Sequence, residues 1–209
     1  VCSIIGSFSK DKIIELCELN AYRGQHSHSI SYFNPETNSF KEVNRAMGDI
    51  KSDNIKIPDD HYCIVHMQAP TTENKHSKTI HPAKIGSSLL WHNGIIKNHV
   101  CQRLGKEYFL SSTWDTYLLL HVMNAEGEPR NIDGTFSCLW YSGTRLFLFR
   151  NEISPMFIDS NFNISSTKFA DSRPTLPDVI FEFNTREKTL IPVGEFKTVE
   201  NPYYFGEVG

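Results

Sequence analysis

Cys2 stands one residue from the start of this 209-residue chain. If the residue before it is removed, one amino acid carries both a thiol and a free α-amine. The amine has a reference pKa of about 7.7–8.0 and can take up a proton near neutral pH. The thiol, with a reference of about 8.5, is an intrinsically strong nucleophile. Nucleophile and base then share one residue, and no histidine or aspartate is required. Val1 precedes Cys2, and an acylated amine is no base, so this chemistry requires that the mature chain lacks Val1. A near-terminal cysteine is by itself more often a core residue. Here Ser3-Ile4-Ile5-Gly6 reads as a short buried strand ending in a permissive glycine, which would hold Cys2 in place.

Four further polar stations follow: Arg23-Gly24-Gln25-His26-Ser27, His66-Met67-Gln68-Ala69-Pro70-Thr71, His92-Asn93-Gly94 and Trp114-Asp115-Thr116. Each adjoins the end of a predicted strand or helix, where site residues gather. Singly they have plain readings. Asn-Gly is a turn pair, an aspartate in a first helical turn suits the macrodipole, and a lone arginine is usually a surface charge. His26, His28, His61, His66 and His92 show no metal-ligand spacing, and no CxxC pair occurs, so no metal or cofactor is expected.

The elements that must position these stations are short and mixed. Ser9 caps a predicted helix over Asp11–Asn20, with Ile13, Leu16 and Cys17 on one face. Strands are predicted over Ser27–Phe33, Phe40–Val43, Tyr62–Met67 and Ser88–Trp91, the last broken by Asn93-Gly94. Helices are predicted over Asn98–Leu104 and Trp114–Asn124. Thr135–Tyr141 and Arg145–Arg150 form a predicted hairpin, with further strands at Met156–Asp159, Asn163–Ser166, Val179–Phe183 and Thr189–Pro192. Thr71–Lys84 reads as a polar surface loop, and the aromatic tail at Asn201–Gly206 as cover for the core. The pattern is α+β with largely antiparallel sheet.

Composition narrows the class. The length suits one full core, so residues 2–209 are expected to form a single domain. The net charge of −3 gives no bulk case for nucleic acid, and no apolar run approaches the ~18–20 residues of a membrane span. Cys2, Cys17, Cys63, Cys101 and Cys138 are odd in number and widely spaced, which favours reduced thiols and a cytoplasmic setting.

Taken together and in this order, Cys2-Ser3-Ile4-Ile5-Gly6 and the four stations resemble the class II glutamine amidotransferase domain, an N-terminal-nucleophile hydrolase. The resemblance spans Cys2 to about Asp133-Gly134. It implies a four-layer αββα sandwich, with glutamine as substrate and Cys2 attacking its side-chain amide. It also implies an oxyanion hole from the Asn93 side chain and the Gly94 N–H, and substrate contacts from Arg23, His66, Gln68, Thr71 and Asp115. Asp115 would bind the α-ammonium of glutamine. The family usually has His-x-Arg at the His66 station, where the arginine holds the α-carboxylate. Gln68 stands there instead, and a neutral amide cannot form the charged fork, a loss of about 1.5–3 kcal/mol. Arg23 or Lys75 could replace that charge, or the substrate lacks a free carboxylate. Beyond residue 150 the chain has no phosphate motif, so the expectation is a domain without a fused acceptor, passing ammonia to a separate partner enzyme. A hydrolase of another amide, such as a γ-glutamyl compound or small peptide, and a non-catalytic binding module on the same fold are the alternatives.

Overall fold

The computed structural model describes residues 2–69 and 79–199. β1 (Ser3–Ser7) leads into α1 (Lys10–Asn20), whose cap Ser9 accepts from the Lys12 N–H at 3.3 Å. That bond satisfies one of the N–H groups left open in a first helical turn. A 3₁₀ turn over Ala21–Arg23 ends the segment. β2 (Ser27–Asn34) and β3 (Ser39–Met47) form a hairpin, followed by β4 (Tyr62–Gln68). Next come β5 (Ala83–Ile85), β6 (Ser88–Asn93), α2 (Asn98–Glu107) and α3 (Asp115–Glu126). The remainder is strand: β7 (Ser137–Tyr141), β8 (Leu146–Arg150), β9 (Phe157–Ile158), β10 (Ile164–Ser165), β11 (Arg173–Pro174), β12 (Val179–Asn184) and β13 (Thr189–Glu195).

These strands form two antiparallel sheets, ordered β11-β9-β10-β1-β4-β2-β3 and β13-β12-β8-β7-β6-β5. Period-two alternation divides each buried strand between two faces. Ile5, Ile30, Tyr32, Cys63 and Val65 pack with Ile13, Leu16 and Cys17 of α1. The opposite face of the same strands, with Ile4, Phe33, Tyr62 and Ile64, meets Leu89, Trp91, Leu139 and Leu148 of the second sheet. That sheet's outer face, with Leu90, Cys138, Trp140 and Phe149, packs against Leu104 of α2 and Leu118, Leu119 and Val122 of α3. Three apolar clusters therefore glue four layers, the expected αββα sandwich. Each fully buried aliphatic side chain contributes about 1.5–3 kcal/mol to that cohesion.

Two expectations need correction. The segment read as a loop to Lys84 is buried at Ile80, His81 and Ala83 and ends in β5, paired with β6. Three residues are too few for alternation to register, and a polar run hides the sheet partner. β6 runs through Asn93 instead of stopping at Trp91, because Asn93 still pairs with Ser137 of β7. Thr71, Lys75 and the tail at Asn201–Gly206 lie outside the described residues.

Candidate active site

Cys2 precedes β1 on the face that carries Ile4, so its side chain enters the space between the sheets. It is 5% exposed. The guanidinium Nε of Arg23 donates to the Cys2 carbonyl at 2.9 Å. Arg23 therefore holds the Cys2 backbone in place and is not among the cavity's described lining residues. Ile4 is fixed next door: its N–H donates to the Ser166 hydroxyl at 2.9 Å, and its carbonyl accepts from the Ser166 N–H at 3.1 Å. The start of the chain is thus held by β4 on one side and by the 165–166 segment on the other.

A cavity of about 560 Å³ opens beside Cys2, within the size range of small-molecule sites. Gly94, Lys97, Cys101 and Asp115 line it with Cys2, together with His81, His92 and Thr116. Gly94 has φ +142°, and a Cβ there would overlap the Thr135 carbonyl. Only glycine lets the backbone pass so close. Asn93 is buried, and its Nδ2 donates to the Ser166 hydroxyl at 3.3 Å. An amide nitrogen has two protons, so one remains for an oxyanion. The same Ser166 hydroxyl that fixes Ile4 thereby aligns Asn93, tying the strand that follows Cys2 and the Asn93 amide to one group.

Asp115 begins α3. Its Oδ2 accepts from the Ile96 N–H at 3.1 Å and its Oδ1 from the Thr116 N–H at 2.8 Å. Those bonds fix the carboxylate at the cavity wall, about a quarter exposed, with acceptor capacity left for a cationic ligand.

Behind this wall lies a buried polar chain that sequence reading missed. The His92 Nε2–H donates to the Thr135 carbonyl at 3.1 Å. In the uncharged ring Nδ1 is then an acceptor, and it takes the Thr116 hydroxyl proton at 3.1 Å. The His81 Nε2–H donates to the same hydroxyl oxygen at 3.1 Å. His66 stacks on His81 with ring centroids 3.6 Å apart, and its Nε2–H donates to the His92 carbonyl at 3.0 Å. The chain braces the two segments that carry Gly94 and Asp115. Thr116→Val would strand two buried ring nitrogens. We expect it to cost about 1–3 kcal/mol in urea unfolding, with Thr116→Ser restoring most of it. Equal stability of the valine variant would show that the hydroxyl bridges nothing.

The structure therefore gathers Cys2, Gly94 and Asp115 on one cavity, with Asn93 and Arg23 directly behind. His66 is fully buried beneath the His92 carbonyl. There it braces the segment that carries His92 and stacks on His81, which lines the cavity. Gln68, 1% exposed, is not among the cavity's described lining residues. Its carbonyl accepts from the His26 N–H at 3.0 Å, and Gly24 packs so closely on the Gln68–Ala69 backbone that a Cβ would overlap it. His92 and Thr116 belong to two of the polar stations, but His81 and Ser166 carry no local signal in the sequence. All five cysteines are free and buried. Burial raises the Cys17 thiol to about 12 and, with the Asp115 carboxylate adding to it, the Cys101 thiol to about 11. Cys101 is thus a neutral thiol at neutral pH although it shares the cavity.

No protein-family model and no curated protein matches the sequence. Solved structures match the fold. One is glutamine phosphoribosylpyrophosphate amidotransferase from B. subtilis, complexed with ADP and GMP: TM-score 0.67, 17% identity, 96% of this chain and 50% of that one covered. Another is described as the allosteric regulatory enzyme of purine biosynthesis: TM-score 0.65, 15% identity, 96% of this chain and 50% of that one covered. The chain spans about half the length of these neighbours, and at such identities the likeness establishes the fold. The fold is the one expected from the resemblance to class II glutamine amidotransferases. Among the described residues, no helix is long and apolar enough to cross a membrane.

Proposed function

We propose that this chain is a glutamine amidotransferase domain that hydrolyses the glutamine side-chain amide and passes the ammonia to a separate acceptor enzyme in the cytoplasm. The observation that carries the reading is the convergence of Cys2, Gly94 and Asp115 on one cavity in an N-terminal-nucleophile hydrolase fold. In this mechanism the Cys2 α-amine takes the thiol proton as sulfur bonds to the amide carbon. The carbonyl π electrons move to oxygen, where the Asn93 amide and the Gly94 N–H hold the oxyanion. Collapse breaks the C–N bond, and the ammonium of Cys2 gives its proton to the departing nitrogen. Water then attacks the thioester with the same amine as base. The C–S bond breaks, and glutamate leaves. Asp115 anchors the substrate ammonium, a charge-assisted bond worth about 1.5–3 kcal/mol.

The test is intact mass before and after treatment with a glutamine-like diazoketone at pH 7.5, on chain that begins at Cys2. One label is expected, and it maps to Cys2 and not to Cys101, whose thiol is pushed up to about 11 by burial and the Asp115 carboxylate. Labelling that persists in Cys2→Ser, or no labelling at all, would remove the glutaminase reading. Hydrolysis of another amide is the second reading, and Gln68 is the residue that favours it. Gln68→Arg is therefore expected to lower the KM for glutamine by supplying the family's carboxylate charge. An unchanged or higher KM in a variant that still folds would take position 68 out of contact with the carboxylate.

A further inference from the structure

Away from the Cys2 cavity, positive charge gathers where the two sheets end side by side. β3 is the outermost strand of the first sheet and β5 the outermost of the second. An open cleft runs between them. Two cavities of about 600 and 430 Å³ follow it and share Arg45 and Lys84 in their walls. Lys41 and Arg45 come from β3 and Lys84 from β5, all three exposed. Among the described lining residues there is no carboxylate, although the chain as a whole carries a net charge of −3. Phe40 and Tyr141, with ring centroids 5.0 Å apart, line one end of the cleft, and Trp114 lines the other. Arg45 is held in place by donating to the Ile80 carbonyl.

Lysines on edge strands also keep copies of a protein from pairing edge to edge. That role asks only for scattered charge. Here three cations from two different sheets converge on one aromatic-ended cleft. Edge strands offer backbone N–H and C=O groups at strand spacing to an incoming extended chain, while the cationic walls select acidic side chains. A long, open cleft of this kind suits an extended segment better than a compact anion, which is bound by an enclosing pocket.

We propose that the β3–β5 cleft docks an extended acidic peptide segment of a partner protein. That this partner is the ammonia acceptor rests on the glutaminase reading, whereas the chemistry of the cleft does not. The position gives docking a physical route to the catalytic cavity. Trp114 lines both spaces, and its indole meets His81 edge-on, centroids 5.3 Å apart. Pro82 lines the cleft and its neighbour His81 the cavity. A segment seated in the cleft therefore meets Trp114 and Pro82, both of which adjoin His81, the ring bonded to Thr116.

The test uses the full chain and a fluorescently labelled deca-glutamate peptide, followed by anisotropy at low and high salt. Two double variants of equal charge change are compared: Lys41→Glu/Lys84→Glu in the cleft, and Lys10→Glu/Lys51→Glu at exposed positions outside it. Thermal unfolding shows that each folds. We expect salt-sensitive binding that the cleft variant weakens about tenfold or more and the control variant leaves within about twofold. No binding to the native chain, or equal loss in both variants, would overturn the proposal. A ten-nucleotide oligothymidylate that bound more tightly, and lost that binding only in the cleft variant, would overturn it in favour of a nucleic acid strand. Diazoketone labelling of Cys2 is measured on the same samples and is expected to be unchanged in both variants. Peptide binding without any Cys2 labelling leaves the docking proposal standing and removes the glutaminase reading. Labelling without peptide binding does the reverse.

Discussion

Chain that retains Val1 is expected to hydrolyse glutamine at least about a hundredfold more slowly than chain that begins at Cys2. The reason is local to one residue. With Val1 in place the Cys2 nitrogen is an amide, which neither accepts the thiol proton nor donates one to the leaving nitrogen. A positioned general acid–base contributes about 10²–10⁴ in rate, or about 2.7–5.4 kcal/mol of barrier. His81 and His92 line the same cavity, with ring hydrogen bonds to Thr116 and Thr135, and the rate that survives in chain retaining Val1 measures how far either ring replaces the amine. Cys2→Ser, begun at residue 2, separates thiol from amine. It keeps the base and loses the stronger nucleophile, and its turnover is expected to fall as far or further. Steady-state ammonia release on three preparations of matched melting temperature measures both effects. Equal turnover with and without Val1 would exclude the Cys2 amine as base.

Cys2, Asn93-Gly94 and Asp115 were legible in the sequence as candidates because their placement is written locally. Cys2 leads an apolar strand, and Asn93-Gly94 and Asp115 sit at element ends where a pattern break marks them. α1 was legible for the same reason, with Ser9 capping and Ile13, Leu16 and Cys17 at helical spacing. The bracing groups were not legible, because long-range register creates them. Ser166 meets Ile4 across 162 positions, and His81 reaches Thr116 across 35. No window on the sequence contains both partners of either bond. The basic cleft was hidden in the same way: Lys41, Arg45 and Lys84 are ordinary surface charges until two edge strands bring them to one face. His66 shows how register places a residue the sequence only flagged: alternation along β4 directs it into the layer between the sheets, where its ring meets the His92 carbonyl and stacks on His81.

Among the described glycines, Gly94→Ala is expected to be the most damaging methyl addition. At φ +142° the alanine backbone is strained before any contact is made. Its Cβ would also overlap the Thr135 carbonyl, which is backbone and cannot swing aside. That carbonyl accepts the His92 Nε2–H, and the Thr135 hydroxyl accepts the Ile95 N–H at 2.9 Å. Relieving the overlap therefore shifts the 94 peptide and loosens His92 together. Loss of a single oxyanion donor costs about 10²–10³ in kcat. On the proposed mechanism Asn93→Ala removes such a donor without a clash and sets the reference loss. Gly94→Ala should exceed it in kcat and add a drop of several degrees in melting temperature, whereas Asn93→Ala should leave diazoketone access to Cys2 largely intact. If Gly94→Ala keeps kcat within about threefold of the native chain, the 93–94 segment does not hold the oxyanion.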